Sequence, residues 1–504
     1  MNKTKKTFYN TLATSFQMLI MQVISLVVSR KVLEIYGSDL NGVNAILSNV
    51  MDWILFLEGG LTLASNVALF KPFVNKDYDR CNNILSATKI KFQKIGMLVL
   101  VCGLGMAVFY PLFIKTDIRY LDILLMFSMM SLSTSFSVFY TRKYALLYNV
   151  SQSEYINTIV TTIVAIIGNV IIYVIASCNL NYLWIRFVYL VVTLATGLTL
   201  AYIAKRRYSF IDYNVEPDNE AIKGTKDVVF QKLTGLLRNS APMIFIAMLV
   251  SSSFASVYSV YIFVYGFVRK LVLMIITATQ SGIGQLIAEK EPKDVYKVYR
   301  VFEFTSMFSV CWLMSVAVPM TMPFIRFYTK NVSDINYIDW WLLFFIAGDI
   351  FIQVLHVPSG TVMNMSGAFK KNKNYQIISV IVMVASILTL SLINGIYGLL
   401  SGIMLGDCVL AVLEIRYARR EFFKIGFWEF IRPLLINILV CAPVVYLEMK
   451  FLPEMFTIPS FVVSGAILAI VNMIAIFIAN YVFEHDRLMS LLNRAKTVFI
   501  RKKN

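Results

Sequence analysis

Cationic side chains inside apolar segments are the residues of this sequence whose chemistry most needs an explanation. Arg269 and Lys270 lie in an apolar window from 256 to 287, Arg186 lies just inside another, and Arg30 closes the first. A phosphate would satisfy such groups, because arginine offers a planar fork of donors and lysine a point charge. Alternatively, these side chains reach the membrane surface or pair with carboxylates. We favour the lining of a polar cavity for Arg269.

Carboxylates inside apolar segments form a second group of candidates. Asp52 and Glu58 lie in the second window, where a carboxylate is costly unless water or a cation neutralises it. Asp349 and Asp407 lie in later windows, where a buried carboxylate could bind a coupling proton or sodium ion. A structural salt bridge explains either aspartate equally well. His356, near the end of its helix, is predicted to be an ordinary interfacial residue.

Polar residues recur at helical spacing in the first two apolar windows. The first set is Thr11, Ser15, Met18, Gln22, Ser25 and Ser29, and the second is Asn41, Asn44, Ser48, Asp52, Gly59, Thr62 and Asn66. Steps of three or four residues, with one step of seven in the second set, place each set on one helix face. Such faces either line a water-filled cavity or pack against neighbouring helices. Gln22 and Asn66 therefore join Asp52 and Glu58 as candidates for contact with a polar substrate.

The composition places these helices in a membrane. Of the 504 residues, 58% are apolar and 15% are charged, whereas an ordinary soluble domain has about 25% charged residues. Apolar runs of about 20 residues, the length needed to cross a bilayer, recur along the chain. These features exclude a soluble enzyme, a disordered chain and a fibrous protein. They predict an all-α polytopic membrane protein.

The apolar windows predict about fourteen transmembrane helices. Their approximate limits are 12–29, 43–69, 95–114, 120–140, 157–177, 183–204, 230–250, 256–287, 302–325, 339–358, 376–394, 397–415, 433–451 and 458–482. The long second and eighth windows have room for tilted or interfacial turns.

Basic residues predict the orientation of these helices, since Lys and Arg collect in cytoplasmic loops. Of the 46 Lys and Arg residues, 36 fall on one side of the alternating segments, seven on the other and three inside windows. Both termini are therefore predicted to be cytoplasmic. The net charge of +17 is explained by topology and does not indicate nucleic-acid binding.

A polar connection near the middle of the chain divides the predicted helices into two sets. Residues 1–204 would form an N-terminal six-helix bundle, 205–229 a cytoplasmic linker, and 230–415 a second six-helix bundle. Residues 416–504 would add two further helices and a basic cytoplasmic tail.

Two pairs of residues at similar spacing indicate that the six-helix unit is duplicated. Asp77 and Asp294 both follow corresponding spans, and Tyr155 and Tyr375 both follow corresponding turns. The distance along the chain is nearly the same within each pair. Similar offsets at matching helix ends are typical of an internal repeat in a transporter.

Motifs of catalysis and of cofactor binding are missing from the sequence. It contains no phosphate-binding P-loop, nucleophile elbow, H-E-x-x-H pair or dinucleotide fingerprint. Its six cysteines lack metal-ligand or redox spacing, and it has two histidines. We predict no catalytic residue, no metal and no cofactor.

A motif-bearing stretch extends from Arg30 to Lys94. It reads S-R-K-V-L-E-I-Y-G-S-D-L-N-G-V-N, then L-F-L-E-G-G-L-T-L-A-S-N-V-A-L-F-K-P-F-V-N-K-D, with later echoes in M-S-G-A-F-K at 365–370 and G-I-Y-G-L-L-S-G-I-M-L-G at 395–406. The motif residues are Arg30, Gly37, Gly42, Gly59, Gly60, Ala64, Lys71 and Pro72. This pattern resembles the bacterial polysaccharide-transport family, the flippases of O-antigen, capsule and teichuronic-type repeat units.

The resemblance implies the fold of the superfamily that contains multidrug and toxic-compound extruders and the peptidoglycan-precursor flippase. In that fold, two six-helix bundles form a V around a cavity that opens alternately to each side. The implied substrate is an undecaprenyl-pyrophosphate-linked oligosaccharide, moved across a bacterial cytoplasmic membrane for surface polysaccharide synthesis. Arg30 and Arg269 occupy the first and eighth helices, where related flippases place cavity arginines. The expected partners are this substrate and membrane lipids, with a polysaccharide polymerase as a further candidate.

Two other functions stay open. An ion-coupled multidrug extruder of the same fold would bind organic cations through Asp52, Glu58, Asp349 and Asp407. A membrane polysaccharide polymerase would need a larger outer loop or soluble domain, and the linker lacks a D-x-D-type pair. We therefore place the transporter functions first and predict that the protein is not an enzyme.

Overall fold

The protein, analysed as a computed structural model, is described over residues 3–58, 60–222, 226–289, 291–453 and 457–500. These residues form helices and connecting turns and contain no β-strand, so the predicted all-α class is confirmed. The chain divides into two compact units, Met1–Ser256 and Val257–Asn504. The predicted boundaries of the two six-helix bundles and the linker, at 204, 229 and 415, stay predictions.

The first unit contains α1 to α8 and the first turn of α9. Their bounds are α1 Lys3–Leu55, α2 Leu61–Asn75, α3 Tyr78–Phe109, α4 Tyr120–Phe136, α5 Arg142–Val150, α6 Glu154–Ser177, α7 Leu183–Arg207, α8 Lys226–Leu249 and α9 Ser252–Glu289. A 3₁₀ turn, Phe56–Glu58, joins α1 to α2, and a π-helical turn, Ser137–Thr141, joins α4 to α5.

The second unit contains the rest of α9 and the remaining helices. Their bounds are α10 Pro292–Tyr328, α11 Trp340–Leu355, α12 Val357–Met365, α13 Phe369–Arg416, α14 Trp428–Phe451, α15 Ile458–Phe483 and α16 His485–Ile500. A π-helical turn, Tyr417–Phe422, extends α13.

Two of the long helices are each long enough for two membrane crossings. With 53 and 48 residues, α1 and α13 are about 80 and 72 Å long at 1.5 Å per residue. The hydrocarbon core of a bilayer is about 30 Å thick. Gly37 (φ 81°) interrupts α1 and Gly395 (φ 55°) interrupts α13. Glycine adopts these conformations without the steric cost of a Cβ.

Eleven helices within the described residues are long and apolar enough to cross a membrane. These eleven include α1 and α13, each of which a kink divides into two halves, and α8 coincides with the predicted window 230–250. The window 43–69 contains the second half of α1 together with α2. The other thirteen windows each overlap one main helix or half-helix, and the chain is a multi-pass membrane protein.

The first half of α1 packs along α6 in the same direction. Gln17 Nε2 donates to Thr161 Oγ1 at 3.1 Å, and Tyr36 donates to the Leu180 carbonyl at 2.6 Å. Both pairs are 144 residues apart in the chain. A constant separation means that the two helices run parallel. This agrees with the predicted topology, because successive spans alternate in direction and the first and fifth spans therefore run the same way.

Helix starts recur at a nearly constant interval in the two units. The interval from the start of α3 at Tyr78 to that of α10 at Pro292 almost equals the interval from the start of α6 to that of α13. A residue with left-handed backbone precedes each of the latter two helices, Gln152 (φ 57°) and Gly367 (φ 79°). This recurrence supports the proposed duplication. The interval between helix starts is slightly shorter than the intervals from Asp77 to Asp294 and from Tyr155 to Tyr375.

The segment after Gly37 packs against the start of α9 within the first unit. Asp39 accepts hydrogen bonds from Thr116 Oγ1 at 2.8 Å and from the hydroxyl of Ser252. A Cβ on Gly42 would lie 1.7 Å from the Ser252 carbonyl oxygen, so a side chain there would displace α9. Gly37 and Gly42, both residues of the family-like motif, thus have separate roles. Gly37 provides the backbone conformation of the kink, and Gly42 allows close packing.

Candidate functional site

The polar residues of the second apolar window lie on the second half of α1 and on α2. Asn44 Oδ1, Trp53 Nε1 and Asn66 Oδ1 are buried there, and none of these atoms has a hydrogen-bond partner among the residues that the structure describes. Buried polar atoms normally find a partner, so these positions call for water or a ligand. Gly59, predicted on the same stripe, lies outside the described residues.

The carboxylate of Glu58 is neutralised within the first unit. It lies 3.4 Å from Arg142 Nη2 at the start of α5 and accepts a hydrogen bond from the Thr62 hydroxyl. Asp52, on the second half of α1, is exposed. Of the two carboxylates predicted in the second window, Glu58 is therefore balanced by an arginine, whereas Asp52 lies at an exposed position.

Gln22 and Arg30 both lie on the first half of α1 and are partly buried. Eight residues separate them, which corresponds to about 12 Å along a helix axis. Gln22 and Arg30 therefore lie at two different positions along the axis of the same helix. The neighbouring Lys31 pairs with Glu34 at 3.6 Å.

Arg186 is buried near the start of α7, with 6% of its surface exposed. Its guanidinium carbon lies 5.8 Å from the ring centroids of both Tyr182 and Tyr189. Nε and Nη2 have no hydrogen-bond partner among the described residues. The Tyr182 ring also contacts Tyr36 of α1 edge to face at 5.3 Å. The Arg186 guanidinium thus lies over two tyrosine rings, and its Nε and Nη2 are available to donate hydrogen bonds to an anion.

Arg269 and Lys270 lie on α9, in the second unit. Arg269 is half-buried and Lys270 is exposed. Adjacent residues of an α-helix point about 100° apart, so the two side chains do not share one face. Arg269 follows Ser252 by seventeen residues, about 26 Å along the axis. Arg269 is the more enclosed of the two candidates.

Two of the predicted carboxylates, Asp349 and Asp407 of the second unit, accept hydrogen bonds from the same side-chain amide. Gln353 Nε2 donates to Asp349 Oδ2 at 2.9 Å and to Asp407 Oδ2 at 2.8 Å. Asp407, on α13, is 2% exposed. Sequence reasoning named both aspartates separately and missed Gln353. The signal for it was present, since Gln353 follows Asp349 by four residues and so lies on the same helix face.

His356 is buried and paired, which corrects the prediction of an ordinary interfacial residue. Its Nδ1 lies 2.7 Å from Glu414 Oε2, and both side chains are almost fully enclosed. A Cβ on Gly360 would lie 2.5 Å from the same carboxylate oxygen, so glycine provides the room for it. The junction of α11 and α12 is thus packed against α13.

A buried ion pair between α10 and the π-helical turn after α13 was not predicted. The Arg419 guanidinium hydrogen-bonds the carboxylate of Glu303, and these side chains are 0% and 2% exposed. Tyr299 donates to Glu303 at 2.9 Å, and Arg419 Nη1 donates to the Gly426 carbonyl at 3.0 Å. Glu303 and Arg419 are 116 residues apart, and no local pattern in the sequence links them.

Within the described residues, no group of three or more His, Cys, Asp or Glu side chains is arranged to hold a metal ion. The polar groups described in the first unit include the cation Arg186, the carboxylates Asp52 and Glu58, and uncharged polar atoms, whereas those of the second unit include the joined pair Asp349 and Asp407.

Neither a family model nor a curated protein matches the sequence, but solved structures do. An inward-facing multidrug resistance MATE family transporter of the MOP superfamily matches with a TM-score of 0.63 and 13% identity, over 88% of this chain and 100% of that chain. Lipid II flippase MurJ, in an inward closed conformation, matches with a TM-score of 0.64 and 14% identity, over 95% and 99%.

A third structure, a ligand complex of the MATE multidrug transporter DinF-BH, matches with a TM-score of 0.58 and 14% identity. That alignment covers 84% of this chain and 96% of the transporter. These TM-scores establish a shared fold, whereas identities of 13% and 14% leave the substrate open. The chain therefore has the fold common to MATE transporters and the lipid II flippase MurJ.

Proposed function

We propose that the protein is a flippase that moves undecaprenyl-pyrophosphate-linked oligosaccharide repeat units across the bacterial cytoplasmic membrane by alternating access. The product would serve synthesis of a surface polysaccharide such as O-antigen, capsule or exopolysaccharide. The observation that carries the proposal is the buried guanidinium of Arg186, which lies on two tyrosine rings with two nitrogens that have no hydrogen-bond partner among the described residues. An anion is the group that such a site lacks.

A pyrophosphate supplies the charge and the acceptors that these cations need. Arg30, Arg269 and Lys270 are the further groups proposed to contact it as the headgroup moves. Gln22 and Asn66 would hydrate the glycan, because uncharged donors and acceptors suit sugar hydroxyls. Both termini are proposed to be cytoplasmic, and a polysaccharide polymerase is proposed as a partner.

Transport of a fluorescent lipid-linked oligosaccharide into proteoliposomes tests the role of Arg186. Arg186→Gln keeps a polar side chain and removes the charge, and we expect transport to fall about tenfold or more, since a charge-assisted hydrogen bond contributes about 1.5–3 kcal/mol. Arg119→Gln is the matched control. Arg119 is an exposed arginine of the same unit, paired with Asp122 at 2.9 Å, and its loss should leave transport unchanged.

The same assay tests the cations of α9. We expect the double variant Arg269→Ala, Lys270→Ala to transport more slowly, with most of the loss already present in Arg269→Ala because Arg269 is the more enclosed residue. Unchanged transport in both this variant and Arg186→Gln, in protein that is folded and inserted, would contradict a pyrophosphate-binding role.

An ion-coupled multidrug extruder is the second candidate, and one observation favours it. Asp349 and Asp407 share the amide of Gln353 in a buried part of the second unit, and paired carboxylates in a membrane suit a coupling cation or a cationic drug. The structural similarity to a MATE multidrug transporter agrees with this alternative.

A deletion strain separates the two candidates. Loss of surface polysaccharide with unchanged drug resistance supports the flippase, whereas increased sensitivity to cationic dyes with intact polysaccharide supports the extruder. Asp349→Asn and Asp407→Asn then test coupling under either function, since removal of the charge should abolish the response of transport to an ion gradient.

A further inference from the structure

The chain that follows α7 closes a pocket at one end of the first unit. The pocket has a volume of about 230 Å³, and its walls include Tyr144 of α5, Lys205 of α7, and Tyr208, Ser209 and Tyr213 of the connecting segment. This end of the unit belongs to the basic side of the protein, which is predicted to be cytoplasmic.

The connecting segment is held in place by hydrogen bonds to α3. The Asn82 side chain donates to the Phe210 carbonyl at 3.0 Å and accepts from the Asp212 backbone at 3.2 Å. Ser86 donates to the Val215 carbonyl at 2.8 Å. These hydrogen bonds fix the segment that carries Tyr208, Ser209 and Tyr213 against α3.

A buried lysine lies behind two of the aromatic walls. Lys143 is 7% exposed, and its Nζ lies 5.0, 5.1 and 5.5 Å from the ring centroids of Tyr140, Tyr144 and Tyr213. No ion pair of Lys143 occurs within the part of the chain that the structure describes. Tyrosine rings stabilise a cation without cancelling its charge, so the field of Lys143 extends into the pocket.

Two further lysines increase the positive charge at this place. Lys89 and Lys205 are close enough to Lys143 to repel it electrostatically. Lys89 Nζ donates to the amide oxygen of Asn214 at 3.0 Å, a neutral partner. The nearby carboxylate of Asp212 accepts from the Asn214 backbone at 2.8 Å and is not part of the pocket wall. Three like charges in one cluster favour the binding of an anion.

The pocket also contains an unused hydrogen-bond donor. The hydroxyl of Tyr213 is buried and has no hydrogen-bond partner among the residues that the structure describes. Burial raises the pKa of Tyr213, so the hydroxyl keeps its proton at neutral pH. An oxygen-rich anion would accept a hydrogen bond from this group and so satisfy it.

We propose that this pocket binds the phosphate group of a small anionic ligand, with Lys205 as the direct ion-pair partner, Tyr213 as a hydrogen-bond donor and Lys143 as a fixed charge behind the walls. Its volume is smaller than that of a typical drug-sized site, which suits a phosphate with a small attached group. The site is separate from the polar stripes of α1 and α2, and it places a ligand against the segment that leads from α7 to α8. The inference does not depend on the proposed transport function.

The phosphate could come from a lipid headgroup or from a soluble compound, and two probes distinguish these sources. Binding of inorganic phosphate and of short-chain phosphatidylglycerol to the purified full-length protein is measured by calorimetry and by thermal stabilisation. Saturable binding of either probe is the expected result. A clear preference for phosphatidylglycerol identifies a lipid site, and a preference for phosphate identifies a soluble ligand.

Matched variants decide whether the binding occurs in this pocket. Lys205→Gln should weaken it about tenfold, as expected for loss of one charge-assisted contact, and Tyr213→Phe should weaken it severalfold while removing a single oxygen. Arg206→Gln is the control, since Arg206 is exposed at the same helix end and its guanidinium lies over the Tyr202 ring at 4.5 Å, outside the pocket. Equal weakening by Arg206→Gln, or absence of binding by both probes, overturns the proposal.

Discussion

The buried charged side chains of the first unit are cations held against aromatic rings, whereas those of the second unit are mostly carboxylates paired with cations. Among the described residues of the first unit, the buried charges are Lys143 and Arg186, and both lie on tyrosines. The second unit instead contains the ion pairs Glu303–Arg419 and Glu484–Arg487, together with the hydrogen-bonded pair Glu414–His356.

A cation on tyrosine rings and a carboxylate–cation pair differ in the net charge that remains. A tyrosine face contributes about 0.5–2 kcal/mol to a cation, and the positive field and several N–H donors stay available. A carboxylate cancels most of the charge of its partner, so the ion pairs of the second unit act mainly in packing. We therefore propose that anions bind in the first unit and that Asp349 with Asp407 is a place for a cation in the second unit.

Loss of Glu303 should have the largest effect on stability. Glu303→Ala leaves Arg419 buried without its carboxylate, and breaking a buried ion pair in this way costs about 3–5 kcal/mol. Unfolding of the purified protein in detergent measures the loss. The double variant Glu303→Ala, Arg419→Met removes both charges and should recover much of the stability. A double variant as unstable as the single one would show that the pair itself is not the cause.

Loss of Gln353 should have an intermediate effect. Gln353→Leu removes both donors from the carboxylates of Asp349 and Asp407, and a hydrogen bond to a charged group contributes about 1.5–3 kcal/mol. The same unfolding assay measures the decrease. Adding Asp407→Asn to the variant should restore part of the stability, because it removes a buried charge. No restoration would argue that Gln353 acts by packing.

Loss of Lys143 should have the smallest effect. Lys143→Met keeps the length of the side chain and breaks no ion pair in the described part of the chain, so we expect a change within about 1 kcal/mol, since the lost cation–π contacts and the relief from burying a charge oppose each other. The same unfolding assay measures the change. A loss as large as that of Glu303→Ala would contradict the contrast between the two units.

The positions of the spans could be predicted because hydropathy is a local property. Apart from 43–69, which contains half of α1 together with α2, each apolar window overlaps one main helix or half-helix, including the halves 376–394 and 397–415 of α13. The continuity of α1 and α13 could not be predicted, because polar residues between two apolar windows look like a loop. In the structure a change of backbone at Gly37 or Gly395 suffices to redirect the helix.

The candidate residues could be selected from the sequence, whereas the residues that surround them could not. Asp349, Asp407 and Arg186 stood out because charged groups inside apolar windows are costly. Their surroundings were not predictable, since Gln353, Tyr182 and Tyr189 are ordinary residues of a membrane helix until the fold places them against a charge.

The sequence by itself determined that the chain is helical, that it crosses a membrane many times and which charged residues need an explanation. These properties depend on runs of about 20 residues and on the cost of charge in hydrocarbon. Tertiary structure decided which charges meet, as with Glu303 and Arg419, and which rings a cation contacts, as with Lys143 and Tyr213. A local pattern states that a charge is present, but an ion pair or a cation–π contact forms between side chains that packing alone brings together.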